Sequence, residues 1–178
     1  VTTIMGANLG TGVTFSVKLS YITTGSGNTA LGYQSLISST TGYENTSVGA
    51  YSLATNTTGF YNTAFGNRAL ELNTSGRDNT ALGLLALASN TTGNSNIAIG
   101  DSALQKNTGS SNTAVGTGAL YNNIASNNTA VGFQSSACNT SGYANAALGF
   151  RSLRCNTTGR SNTAVGYYAL KSNTIGLV

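Results

Sequence analysis

Histidine and proline are both missing from this chain, and acidic residues number only four. Without histidine, the side chain that most often moves protons near neutral pH is unavailable. The acids Glu44, Glu71, Asp78 and Asp101 are spread along the sequence, and no serine or cysteine has a base beside it except scattered Lys and Arg. Aspartates at fixed repeat positions, which repeat-bound calcium requires, are absent, and the glycines match no phosphate-loop spacing. The chain is therefore expected to be no enzyme and to hold no cofactor and no metal. Charged residues make up 7% of it, against roughly 25% in an average soluble protein. Its eight bases give a net charge of +4 but form no run that would track a phosphate backbone, so nucleic acid is not an expected partner. No apolar stretch is long enough to span a bilayer, and no secretory signal is present in the numbered chain. The sequence begins at Val1, which suggests a mature product or an excised segment. The lack of proline suits uninterrupted hydrogen-bonded ladders.

What the chain does have is a repeat. Asn-Thr-Ala-apolar-Gly, in full or with one substitution, starts at Asn28, Asn45, Asn62, Asn79, Asn96, Asn112, Asn128, Asn145 and Asn162, at spacings of 17 or 16 residues. With that asparagine as position 0, position 2 is always Ala or Ser, position 3 always apolar and position 4 always Gly. Position 8 is Leu except at Ser136, and a second corner, Asn-Thr-(Thr/Ser)-Gly, starts at position 11. A period this short and constant means one small supersecondary unit stacked on copies of itself.

The unit is too short for two helices, and Asn, Thr and Gly disfavour helix. Two short strands, Thr-Ala-apolar and (Ala/Ser)-Leu, with two glycine corners fit its length. The expected fold is all-β: a parallel β-solenoid, or β-roll, of about nine 17-residue coils spanning residues 25–178, with residues 1–24 outside the repeat. A tandem array of antiparallel hairpins is the alternative. The two shortened repeats lose their residue in the second corner, at Asn107-Thr108-Gly109 and Asn123-Ile124-Ala125, where a loop absorbs it without shifting strand register. Positions 1 and 3 share one strand face. The apolar position-3 column is expected to face inward with the threonine column beside it, leaving the Ala/Ser column as a contact face for lateral association. A coil this thin is expected to need such association.

Residues 13–21 alternate strictly, with Val13, Phe15, Val17, Leu19 and Tyr21 against Thr14, Ser16, Lys18 and Ser20. That pattern reads as one strand with a single buried face. It would cap the first coil or be donated to a neighbouring protomer as an assembly strand. Thr3-Ile4-Met5-Gly6 reads as a degenerate copy of the repeat. At the other end the sequence stops mid-unit at Val178, and an uncapped apolar coil end would favour end-to-end stacking.

Two modifications are suggested. Cys138 and Cys155 both fall at position 10, one repeat apart, so stacking would bring their Cα atoms within ~5 Å, inside the disulfide window. They are a disulfide candidate, which would imply an oxidising, extracellular setting. N-glycosylation triplets start at Asn45, Asn56, Asn73, Asn90, Asn127, Asn139 and Asn156. Five of these lie at position 11, where the same residues serve equally as corner chemistry. The threonine-rich corners would also suit O-linked sugars.

As they stand in Asn112-Thr113-Ala114-Val115-Gly116 and Asn162-Thr163-Ala164-Val165-Gly166, the motifs resemble the head repeats of YadA-like trimeric autotransporter adhesins and related phage and bacterial tail-fibre repeats. The resemblance covers about residues 25–176, with a longer unit here. It implies a left-handed parallel β-roll in a homotrimer that displays an adhesive surface.

The leading functional reading is a structural, self-assembling extracellular fibre or adhesin segment, associating laterally or end to end. Its partners would be further copies of itself and cell-surface glycans or receptors, and its location extracellular, on a cell or virion surface. One alternative is a viral receptor-binding tail fibre, with Tyr33, Tyr51, Phe133, Phe150, Tyr167 and Tyr168 stacking on sugars. The other is an ice-binding solenoid built on the position-1 threonines.

Overall fold

The computed structural model describes residues 24–176. The alternating segment Val13–Tyr21, the assembly strand of the sequence reading, lies outside the described residues, as does the degenerate copy at Thr3–Gly6. Nine three-residue strands follow in chain order: β1 (Thr29–Leu31), β2 (Thr46–Val48), β3 (Thr63–Phe65), β4 (Thr80–Leu82), β5 (Ile97–Ile99), β6 (Thr113–Val115), β7 (Thr129–Val131), β8 (Ala146–Leu148) and β9 (Thr163–Val165). They form one sheet in that order, every pair parallel and in register. This is the β-solenoid, and the antiparallel hairpin array is excluded. The shortened coils keep register, since Ile97 still pairs Thr113 and Thr113 pairs Thr129. The missing residue is in the second corner. Asn90 Nδ2 donates to the carbonyl three residues on, at Gly93, whereas Asn107 reaches Gly109 only two residues on.

Each coil contains one strand, not two. At positions 6 and 8 the backbone turns left-handed, as at Arg68 (φ 57°) and Leu70 (φ 52°), or Leu85 (φ 56°) and Leu87 (φ 53°). Alternating left-handed residues cannot form a pleated strand, so the expected (Ala/Ser)-Leu strand is a stack of turns. Its amides still bond from coil to coil, as when Leu70 N–H donates to Ala86 O at 3.0 Å. A left-handed leucine costs on the order of 1–3 kcal/mol. Here the leucine side chain is offset by burial: Leu53, Leu70, Leu87, Leu104, Leu120 and Leu153 are all fully enclosed.

The strand face is the reverse of the expected one. The middle residue of every strand, Ala or Ser, points inward and is buried, while positions 1 and 3 point outward. The position-8 leucines come in from the opposite wall and fill the middle of the coil, so only a small side chain fits across from them. The Ala/Ser column is therefore core and not a contact face. Where the inner strand residue is serine, at Ser47, the opposite wall supplies Ser35 and Ser52, and the three hydroxyls bond one another at 2.6–3.3 Å. A buried hydroxyl without such partners would be costly.

Candidate functional sites

Two asparagine columns run the length of the described rod. At position 0 the side-chain amides donate to the preceding asparagine's Oδ1, which also takes the next backbone N–H; at Asn128 only the backbone N–H does so, and its Nδ2 turns to Asn123 Oδ1. Asn79 does both to Asn62 Oδ1 at 3.1 Å. Its Nδ2 also reaches Gly93 O at 2.9 Å. At position 11 the column runs Asn56, Asn73, Asn90, each amide on the preceding Oδ1 at 2.8–2.9 Å. It breaks at the first short coil, where Asn107 Nδ2 donates to Gly109 O, its Oδ1 accepts from Asn112 Nδ2, and Asn90 Oδ1 is left buried without a partner.

Most of the glycosylation candidates belong to these ladders. Asn45, Asn56, Asn73, Asn90, Asn139 and Asn156 are all completely buried. The Nδ2 protons of Asn45, Asn73, Asn90, Asn139 and Asn156 are spent on ladder and corner bonds, while Asn56 Nδ2 holds Gly59 O. A sugar on any of them would have to displace the core of the coil. In the folded rod these six asparagines are ladder and corner residues. Of the seven, Asn127 alone is exposed.

Cys138 and Cys155 are free, half-buried thiols on adjacent coils. Cys138 N–H donates to Arg154 O at 3.1 Å, which ties the two backbones side by side.

The largest surface feature is the outward strand face. Across all nine coils, positions 1–3 carry no charged residue. Threonine occupies position 1 except at Ile97 and Ala146, beside a column of Leu31, Val48, Phe65, Leu82, Ile99, Val115, Val131, Leu148 and Val165. Phe65 is 54% exposed and Val165 67%. Eight steps of ~4.8 Å make this face about 38 Å long. The strip is uncharged and partly apolar along its whole length. Composition alone did not expose it, because period-two alternation over three residues does not say which side is in.

Aromatic and cationic ridges flank the face. On one side Phe133, Phe150 and Tyr167 stack at 5.3–5.4 Å, with the Arg151 guanidinium over the first two. Tyr33 and Tyr51 meet edge-on at 5.4 Å. On the other side Tyr43 stacks on Phe60 at 4.7 Å under Arg77. Of the rings suggested for sugar stacking, Phe133 and Phe150 thus spend their faces on each other and on Arg151, while Tyr168 packs edge-on against Phe150 and Tyr167. Glu71 and Asp78 are paired with Arg68 and Arg77 at 3.9 and 3.8 Å. Among the described residues, no group of three His, Cys, Asp or Glu side chains comes together to hold a metal ion, and no helix is long and apolar enough to cross a membrane.

Comparison with known protein families, curated proteins and solved structures finds no match for this chain.

Proposed function

We propose that the chain is a structural rod, a non-catalytic segment of an extracellular fibre or adhesin that associates laterally with copies of itself through the outward strand face. The carrying observation is the uncharged column pair on that face, with Phe65, Leu82, Leu148 and Val165 each more than 40% exposed. Apolar area is removed from water at a gain of roughly 25 cal/mol per Å², and identical rungs at one spacing let two rods mesh along their length. The resemblance to trimeric adhesin heads and tail fibres supports the same reading, as does the stiffness of a coil bonded through both side chains and backbone. Sedimentation and electron microscopy test it. The native chain should run as an oligomer of rods, and Leu148→Lys with Val165→Lys should yield folded single rods. A native chain that is monomeric at all concentrations, or variants that assemble unchanged, would overturn it.

A second reading gains from the same face. The position-1 threonines point to solvent, against the expectation that they face inward, so they stand in the orientation an ice-binding array requires. Thermal hysteresis in dilute, unassembled protein would favour that reading over self-assembly.

A further inference from the structure

Coils 6 to 8 carry a notch on the side away from the strand face. Position 9 holds Tyr121, Ala137 and Arg154 on three successive coils, a small residue between two large ones. At ~4.8 Å per coil the walls stand about 9.6 Å apart. At position 6, Gly118 replaces the larger residues found on the other coils, and a Cβ there would meet only Gln134 Cγ at 3.5 Å. The outcome is a cavity of about 270 Å³ whose lining includes Tyr121, Asn122, Gln134, Ala137, Cys138 and Arg154.

Arg154 is unusual among the cations. Its Nε is buried with no hydrogen-bond partner, and no ion pair holds its guanidinium among the described residues. No acid exists anywhere between residues 112 and 176. The nearby Gln134 Oε1 is already taken by Arg151 Nε at 3.1 Å. A guanidinium offers five donors in a planar fork suited to a carboxylate. On the opposite wall, Lys106 Nζ sits 5.2 Å from the Tyr121 ring centroid, and it comes from coil 5. The ring face toward coil 7 therefore borders the slot.

A cation and an aromatic residue lining one slot two coils apart, with side-chain amides beside them, suit an anion that has an apolar face and hydroxyls. We propose that this slot binds the acidic pyranose of a uronic-acid-containing glycan, its carboxylate on Arg154 and its C–H face against Tyr121. The site does not depend on lateral assembly, since it lies away from the strand face.

Saturation-transfer NMR and calorimetry on the full chain test it, with glucuronic acid as probe. Its methyl ester, glucose and acetate are the controls. Glucuronic acid should bind and transfer saturation through its ring protons, while the ester and glucose bind at least about tenfold more weakly. Arg154→Gln should lose about tenfold or more, and Ala137→Leu, which fills a half-exposed surface gap, should abolish binding with the circular dichroism unchanged. A glucuronate-bearing polysaccharide that binds more tightly than the free sugar would assign the slot to a polymer, and equal affinity to the single ring. Acetate binding as well as glucuronic acid, or Arg154→Gln binding as well as the native chain, would overturn the proposal. The assembly-deficient Leu148→Lys, Val165→Lys rod should bind glucuronic acid undiminished, so failure of the slot and failure of the assembly reading are separately visible.

Discussion

Asn62 Nδ2 donates to Asn45 Oδ1 at 3.1 Å, and the backbone N–H of Asn62 donates to that same oxygen at 3.0 Å. One oxygen thus holds both the side chain and the main chain of the next coil. Removing Asn62 should be costly for the coil above it. Asn62→Ala leaves the Asn79 backbone N–H buried without an acceptor, and should lower stability by about 2–4 kcal/mol. Asn62→Asp should cost more, because a buried carboxylate would face Asn45 Oδ1 and Gly76 O, both acceptors. Urea midpoints of the two variants give the order.

Two neighbouring glycines should respond oppositely to alanine. Gly116 has φ 130°, and an added Cβ would lie 2.6 Å from Gly132 O in the next coil. Gly116→Ala is therefore expected to cost about 3 kcal/mol or more through strain and displacement of the coil. Gly118 has φ 65° in open space, a conformation that Leu85 and Arg68 adopt at the same repeat position. Gly118→Ala should change stability by less than about 1 kcal/mol. Thermal unfolding of the pair separates the two cases.

Ser136 occupies the leucine position, with φ 49°, 1% exposure and a hydroxyl that has no partner. Its column neighbours Leu120 and Leu153 show that the backbone accepts leucine there. Ser136→Leu should fill the gap, remove the orphan hydroxyl and raise stability by about 1–2 kcal/mol. A lower unfolding midpoint would contradict it.

The tyrosines at the two ends should titrate in a set order. The hydrogen bond from Arg151 to Tyr168 OH, together with its charge, lowers the Tyr168 pKa below the ordinary tyrosine value. Repulsion from Glu44, and then Tyr43, raises that of Tyr61. Tyr168 has its folded pKa depressed, so its contribution to stability is present above the unfolded value near ~10 and fades as pH falls. Tyr61 has its folded pKa raised, so its contribution is intact below ~10 and is lost as pH rises through the folded value. Ring-carbon NMR should show Tyr168 ionising at lower pH than Tyr61, and Arg151→Gln should move Tyr168 upward.

Much of the architecture was legible because a solenoid writes its period directly into the chain. The invariant glycine at position 4 and the nine phased asparagines favoured parallel, in-register stacking over the hairpin array, since each residue then meets its own equivalent. The lost residue at Gly109 and Ala125 could be placed in a corner for the same reason. The chain could not say which strand side faces in. Valine at position 3 invites burial, but the interior is narrow and the left-handed turns at Leu53 and its equivalents swing leucine across it, so alanine is what fits. That geometry is set by the far wall of the coil, a relation invisible along the strand. It turned the apolar column into the outer surface and six of the seven triplet asparagines into buried ladder and corner residues. The slot between Tyr121 and Arg154 was hidden likewise, because residues 33 apart become neighbours only after two coils have closed.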